Sequence, residues 1–368
     1  MNDNEFINQT MITYLGNKRK LINKIQEIIK NDILPNVNKD KLSILDGFAG
    51  SSVVSRCFAQ YSDNLTSNDL ELYSYIMLQC FLSKPDNDDI KQIYHHIDHM
   101  NDLAKNGPYQ NGIITELYSP ENTNDIKEGE RCFYSKENAL IIDTLRIYIK
   151  ENVDEKLFHY CIAPLLIKAS IHTNSSGQFR GFYKNKKGIG QWGGENKNDL
   201  KRILKPIELE YPLWSDYDFN TTVYNKDINE LMNSLSDNYD LIYLDPPYNE
   251  HPYASNYHML NLIIKYEKPE QISKVSGIAK GWNRSDYNYE KKAVLSMKEL
   301  IMVSVKKSKY ILLSYNNEGI IPLNEWEKIF EGLTIQKYEI PYDTFKGSRN
   351  LKERSNKVME IMYLISNK

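Results

Sequence analysis

The chain has 368 residues, with 46 lysines and arginines against 49 aspartates and glutamates, for a formal net charge of -3. Hydrophobic residues make up 41% and charged residues 26%, which excludes wholesale disorder. No apolar run approaches the roughly 20 residues that span a bilayer, and at this length a main domain with a substantial insert is expected over one very large core.

Residues Met1 to Thr10 lack the basic and apolar regions of a signal peptide. The four cysteines, Cys57, Cys80, Cys132 and Cys161, are scattered, with no C-x-x-C pair. Neither a disulfide framework nor a metal site is expected, and the expected compartment is a reducing cytoplasm. The motif Thr13-Tyr14-Leu15-Gly16-Asn17-Lys18-Arg19-Lys20 precedes Leu21, Ile22, Ile25, Ile28, Ile29 and Ile33, spaced near the 3.6 period. That spacing predicts a helix over Asn17–Leu34, with Pro35 as its stop. A strand is predicted over Lys41–Asp46, a turn over Gly47–Gly50, a helix over Ser51–Ala59, and a second strand over Asn64–Asn68 that ends at Asp69. Strand, glycine-bearing turn and helix N-terminus form a cradle for a nucleotide or methionine, without the G-x-G-x-x-G of a dinucleotide site. An acid at the end of the next strand commonly binds ribose hydroxyls. Taken singly, these features read equally well as turn glycines and a capping acid.

The stretch Glu71–Asp218 is less regular, with helices predicted at Glu137–Lys150 and Leu157–Ile171. His95, His96 and His99 complete no ligand pattern, so a solvated helix face is expected there. The loop Asn174–Glu195 is glycine-rich, and loops of that length are usually functional or disordered. Eight basic residues (Arg180, Lys184, Lys186, Lys187, Lys197, Lys201, Arg202, Lys205) stand against Glu195 and Asp199 in this region, interleaved with Phe179, Phe182, Tyr183 and Trp192. Cations with flat rings suit phosphates and unstacked bases, although a solvated loop and a basic helix face have the same composition.

Strands resume at Thr221–Tyr224, followed closely by Asp227, then at Asp240–Asp245, Lys309–Tyr315, Thr334–Ile340 and Val358–Ile365. Their alternation with helical patterns predicts an open α/β sheet, with the last two strands as an antiparallel hairpin. The sharpest feature is Asp245-Pro246-Pro247-Tyr248, at the carboxyl end of a strand where open sheets place ligands. Two prolines cannot continue a ladder and stiffen the chain. The Asp245 carboxylate and the Pro246 carbonyl can each accept one hydrogen of an exocyclic amine, turning its lone pair outward, and the Tyr248 ring can stack on a base. With an ordinary pKa of about 3.9, Asp245 orients such an amine and does not deprotonate it.

Together these motifs resemble the Dam-like family of adenine-specific DNA methyltransferases, and the run from Asp245 to Leu260 is similar to its restriction-modification branch. The resemblance implies a Rossmann-like α/β fold, a mixed and mainly parallel seven-stranded sheet, with S-adenosylmethionine as cofactor. It implies catalysis by Asp245, Pro246, Pro247 and Tyr248. It implies cofactor contacts from Tyr14, Lys18, Asp46, Phe48, Gly50, Asp69, Asp227 and Asp245. DNA contacts would come from Arg180, Lys184, Lys186, Lys187 and Tyr248, with Gly177-Gln178-Phe179-Arg180 similar to the family's DNA-facing loop. Gly47 stands where the family often has Pro, and Ser52 where it often has Gly. The expected division is a catalytic domain in two parts, 1–85 and 219–368, around a helical insert, 86–218, that recognises the target. The expected partners are double-stranded DNA, whose adenine leaves the stack, and a cognate restriction endonuclease. An RNA adenine methyltransferase and a nicotinamide-dependent oxidoreductase are the alternatives. His251 and His258 flank the tetrapeptide with no role assigned.

Overall fold

The computed structural model describes residues 3–9, 11–194, 197–236, 238–274, 276–343 and 357–367. Met1, Thr10 and Glu195 lie outside them. Seven strands form one sheet: β1 (Leu42–Asp46), β2 (Ser62–Asn68), β3 (Asn220–Tyr224), β4 (Tyr239–Leu244), β5 (Ser308–Asn316), β6 (Thr334–Asp343) and β7 (Lys357–Ser366). Their order is β3-β2-β1-β4-β5-β7-β6. The five strands from β3 to β5 are mutually parallel, while β7 runs antiparallel to both of its neighbours, β5 and β6.

Alternate residues of the central strands feed two apolar layers, as a pleat requires. Leu241, Tyr243 and Leu312 pack on one face with Ile44. Ile242, Leu244 and Leu313 pack on the other with Leu45. Both faces are covered, so these strands read as continuous apolar runs. The helices Leu72–Leu82, Phe158–Ile171 and His258–Lys265 belong to the first layer, and Ile228–Ser234 and Glu290–Lys307 to the second. From β1 the chain winds outward to β2 and β3, then returns to β4 on the opposite side of β1. A crevice opens at such a reversal, at the carboxyl ends of the strands. Asp46 ends β1, Asp69 follows β2 and Asp245 follows β4, so all three fall at this edge.

The helix expected over Asn17–Leu34 differs from expectation at its end. It runs as a 3-10 turn (Arg19–Leu21), an α segment (Ile22–Ile28), a π turn (Ile29–Ile33) and a last α turn (Leu34–Val37). Pro35 does not stop it. It sits in the first turn of the last segment, where a missing N–H costs little, and Asn38, at φ 55°, ends the helix. The helix face expected at His95, His96 and His99 belongs to the helix Asn87–Asn106, whose buried Ile93, Ile97, Met100 and Ala104 keep a helical spacing. His95 and His99 are exposed on that helix, and His96 Nδ1 lies 2.9 Å from the Tyr148 hydroxyl. All four cysteines are buried and unpaired. Among the described residues, no helix is long and apolar enough to cross a membrane, and no three His, Cys, Asp or Glu residues are grouped to hold a metal ion.

Candidate active site

The turn after β1 is tied to both neighbouring strands. Gly47 N–H donates to the Tyr243 carbonyl at 2.9 Å, and Ala49 N–H to the Asn68 carbonyl at 3.0 Å. Gly50 adopts φ 52°, and a Cβ there would lie 2.8 Å from the Tyr14 ring. Asp69 fixes the same turn from the next strand: its Oδ2 accepts from Gly50 N–H at 2.7 Å and its Oδ1 from Glu71 N–H at 2.8 Å. Ser52, which stands where the family often has glycine, takes a left-handed φ of 66°. Asp46 is fully buried beneath the turn, outside the lining of the cleft. Its Oδ2 accepts from the Ser55 hydroxyl at 2.6 Å, while Oδ1 has no partner. Burial first, then the charges of Asp245 and Asp69, push its carboxyl up to about 7.

A cleft of about 880 Å³ opens above this turn. Tyr14, Lys18, Phe48, Gly50, Asp69, Asp227 and the whole tetrapeptide Asp245 to Tyr248 line it. Of the cofactor residues expected from sequence, Asp46 alone is set back from this lining. Tyr14 is stacked with Tyr253 and with Tyr257, ring centroids 5.1 Å apart in each pair, which makes a rigid wall. Phe48 meets Tyr287 edge-on at 5.2 Å. Asp227 Oδ1 caps the helix Ile228–Ser234 by accepting from Asn229 N–H at 2.9 Å, as its position after β3 suggests. The sequence did not mark Glu71, Asn283, Ser285 or Asn288, which also line the cleft. Burial, followed by the charge of Asp69, pushes the Glu71 carboxyl up to about 8. Asn288 Nδ2 donates to the Asn249 carbonyl at 2.8 Å and so holds the chain just after the tetrapeptide.

At one end of the cleft four polar side chains meet, Lys18 and Glu360 buried and Asp245 and Tyr248 half-buried. Lys18 Nζ lies 2.8 Å from Asp245 Oδ1 and 3.3 Å from Glu360 Oε1. The Tyr248 hydroxyl lies 2.5 Å from Asp245 Oδ1 and 2.7 Å from Glu360 Oε1, within hydrogen-bond reach of both carboxylates. Burial alone would lower the Lys18 pKa, but Asp245 and Glu360 hold it above the ordinary lysine value. Burial raises the Asp245 carboxyl against the pull of Lys18. The Tyr248 ring was expected beside the carboxylate and is there. The Lys18 ammonium donates to the Tyr248 hydroxyl at 2.6 Å and lies 4.6 Å from the ring centroid, and Tyr315 packs against the ring at 5.0 Å.

The basic loop is more structural than its composition suggested. Arg180, Lys184, Lys186 and Lys187 are exposed. Of the interleaved aromatics, Phe179 is buried away from any base, while Phe182, Tyr183 and Trp192 are half-buried and each engaged within the protein. Phe179 is fully buried, Phe182 packs edge-on against Phe133 at 5.3 Å, the Tyr183 hydroxyl donates to Asp199, and Trp192 Nε1 donates to the Thr123 carbonyl. Gly177, at φ 95°, passes so close to Thr13 that a Cβ would lie 2.3 Å from it. His258 is buried with Nε2 3.0 Å from the Phe179 carbonyl, whereas His251 is exposed, with Arg180 and Arg284 both lowering its pKa after burial.

Residues 14–329 match the family model described as D12 class N6 adenine-specific DNA methyltransferase. The chain is 30% identical over 365 residues to the type II methyltransferase M.NlaIII of Neisseria lactamica, covering 96% of this chain and 99% of that protein. It is 28% identical to the modification methylase StsI of Streptococcus sanguinis and to the type II methyltransferase M.FokI of Planomicrobium okeanokoites, over 96% of this chain in each case. It spans 52% of each of those two longer relatives. These matches set aside the RNA and nicotinamide alternatives.

Proposed function

Because this chain belongs to the D12 class of N6 adenine-specific DNA methyltransferases, we propose that its cleft holds S-adenosylmethionine over the glycine turn and an extruded adenine against Asp245. One observation carries the reading. The glycine turn, Asp69 and the tetrapeptide, which are far apart in sequence, line a single cleft at the reversal point of the sheet.

The residues present suit the cofactor. Gly50 leaves room that a side chain would fill, and the orphaned Asp46 Oδ1 lies beneath the same turn as an acceptor for a buried ammonium group. Tyr14, Lys18, Phe48, Gly50, Asp69 and Asp227 are assigned to cofactor binding. Asp69 does so in part by holding the Gly50 N–H in place. When bound, S-adenosylmethionine supplies an electrophilic methyl group on a sulfonium.

Asp245 accepts one hydrogen of the adenine amine and the Pro246 carbonyl the other, so the nitrogen lone pair points toward the donor. The nitrogen becomes cationic during transfer, and a low-dielectric site makes the nearby carboxylate effective in stabilising it. Tyr248 stacks on the base. The exposed Arg180, Lys184, Lys186 and Lys187 meet phosphates, and residues 86–218 form the recognition insert between the two parts of the catalytic domain, 1–85 and 219–368. By analogy with the type II relatives, the enzyme protects DNA from a partner restriction endonuclease.

DNA from cells expressing the protein, sequenced by a method that reads methylated adenine directly, tests the reading. One short sequence should carry N6-methyladenine at nearly every occurrence, and the mark should vanish with Asp245→Ala. Methylation retained in the variant would refute the catalytic assignment.

A further inference from the structure

Asp245 is engaged before any substrate arrives. Its Oδ1 lies 2.8 Å from the Lys18 ammonium and 2.5 Å from the Tyr248 hydroxyl. An amine that takes Oδ1 must displace both, and Lys18, at 3% exposure, has little water to move into. A buried ammonium removed from its carboxylate with nothing in exchange is strongly disfavoured. Glu360 offers the exchange. It is 5% exposed, its Oε1 lies 3.3 Å from Lys18 Nζ and 2.7 Å from the Tyr248 hydroxyl, and Ser314 Oγ donates to it at 2.7 Å. It stands on β7 opposite Asn316 of β5, at the carboxyl edge of the parallel strands, and lies beyond residues 14–329.

We propose that Glu360 is a positioning residue for methyl transfer. It takes over the Lys18 ammonium and the Tyr248 hydroxyl as the adenine amine takes Asp245. The proposal rests on the reading of Asp245 as the acceptor for that amine. Glu360 exchanges hydrogen bonds only. The new nitrogen–carbon bond forms from the amine lone pair as the sulfur–carbon bond breaks, its electron pair stays on sulfur, and the surplus amine proton leaves to Asp245 or water. One ammonium between two carboxylates leaves the cluster with a net negative charge, and Glu360 supplies that surplus. With Lys18 held by Glu360, the charge of Asp245 is left for the nitrogen that becomes cationic. With glutamine at 360 the cluster is neutral and Lys18 stays on Asp245.

The test is steady-state methylation of DNA by the full chain, with cofactor affinity from calorimetry. Glu360→Gln should lower kcat by at least about tenfold while KM for DNA and Kd for S-adenosylmethionine stay within about threefold. In a Lys18→Met background the same substitution should lower kcat by less than about twofold, because the ammonium it accommodates is gone. Wild-type kcat in Glu360→Gln, or an equal loss in both backgrounds, would overturn the proposal. Glu360→Asp keeps the charge and carries the test if the glutamine variant does not fold. It should retain at least about a third of the wild-type kcat, and a loss beyond about tenfold overturns the proposal. If Asp245→Ala abolishes transfer while Glu360→Gln is fully active, only the role of Glu360 fails. If Asp245→Ala stays active, both readings fail.

Discussion

The backbone N–H of Phe179 donates to the Asn256 carbonyl at 2.7 Å. The Phe179 carbonyl in turn faces His258 Nε2 at 3.0 Å. The basic loop is therefore stapled to the segment that follows the catalytic tetrapeptide, and the imidazole, its pKa pushed down to about 4 by burial, is neutral there. His258→Leu leaves the Phe179 carbonyl without this partner in a buried site, which should lower stability by about 1–3 kcal/mol. KM for DNA should rise several-fold while cofactor affinity holds. Urea unfolding and calorimetry check this, and an unchanged KM would mean that the staple does not reach the DNA.

Gly50→Ala forces a side chain into a left-handed position against the Tyr14 ring, which is stacked with Tyr253 and Tyr257. We expect a stability loss of about 1 kcal/mol or more. Calorimetry should show S-adenosylmethionine binding weakened by at least about tenfold, a cost of about 1.4 kcal/mol. Wild-type cofactor affinity would move the binding site away from the turn.

Glu71→Gln tests the buried carboxyl beside Asp69. Its pKa is raised from 4.5 to about 8 in the folded protein. A carboxyl with a folded pKa above its unfolded value contributes stability fully below the unfolded value and loses it as pH rises through the folded one. Wild type should therefore lose stability between about pH 4.5 and 8 that the glutamine variant keeps, a relative gain of up to about 5 kcal/mol. Urea midpoints measured across that window decide it, and a gap that does not widen with pH would show Glu71 ionised throughout.

Neutralising Lys184, Lys186 and Lys187 together should flatten the dependence of DNA affinity on salt. Each phosphate contact contributes about 0.9 to the logarithmic slope, so the slope should fall by up to about 2.7. An unaltered slope would put these lysines in solvent away from the duplex.

The sheet was legible because apolar runs, turn glycines and terminal acids sit in a fixed order along the chain. The tetrapeptide was legible because Pro246 and Pro247 cannot extend a ladder, so Asp245 had to end a strand. Asn283, Ser285 and Asn288 were not legible, since short polar residues in a loop carry no periodic signal and only the fold brings them to the cleft. Glu360 was hidden for a related reason: an acid within an apolar strand reads as a surface residue until Lys18 and Ser314 are seen around it. Among the aromatics of the basic loop Phe179 misled, because spacing alone does not separate a ring offered to a base from one anchoring its own loop. Phe179 is fully buried.

The threading of β7 between β5 and β6 has a consequence for biosynthesis. Lys18 leaves the ribosome before Asp245, and the strand that brings Glu360 to them is made after both and after β6. A nascent chain can form β1 to β5 and the glycine turn while the acidic cluster is still incomplete. Such non-local pairing is slow to form. The order of synthesis thus delays the acidic cluster until β7 has emerged, so a nascent chain stopped before β7 would not carry the complete cluster to DNA.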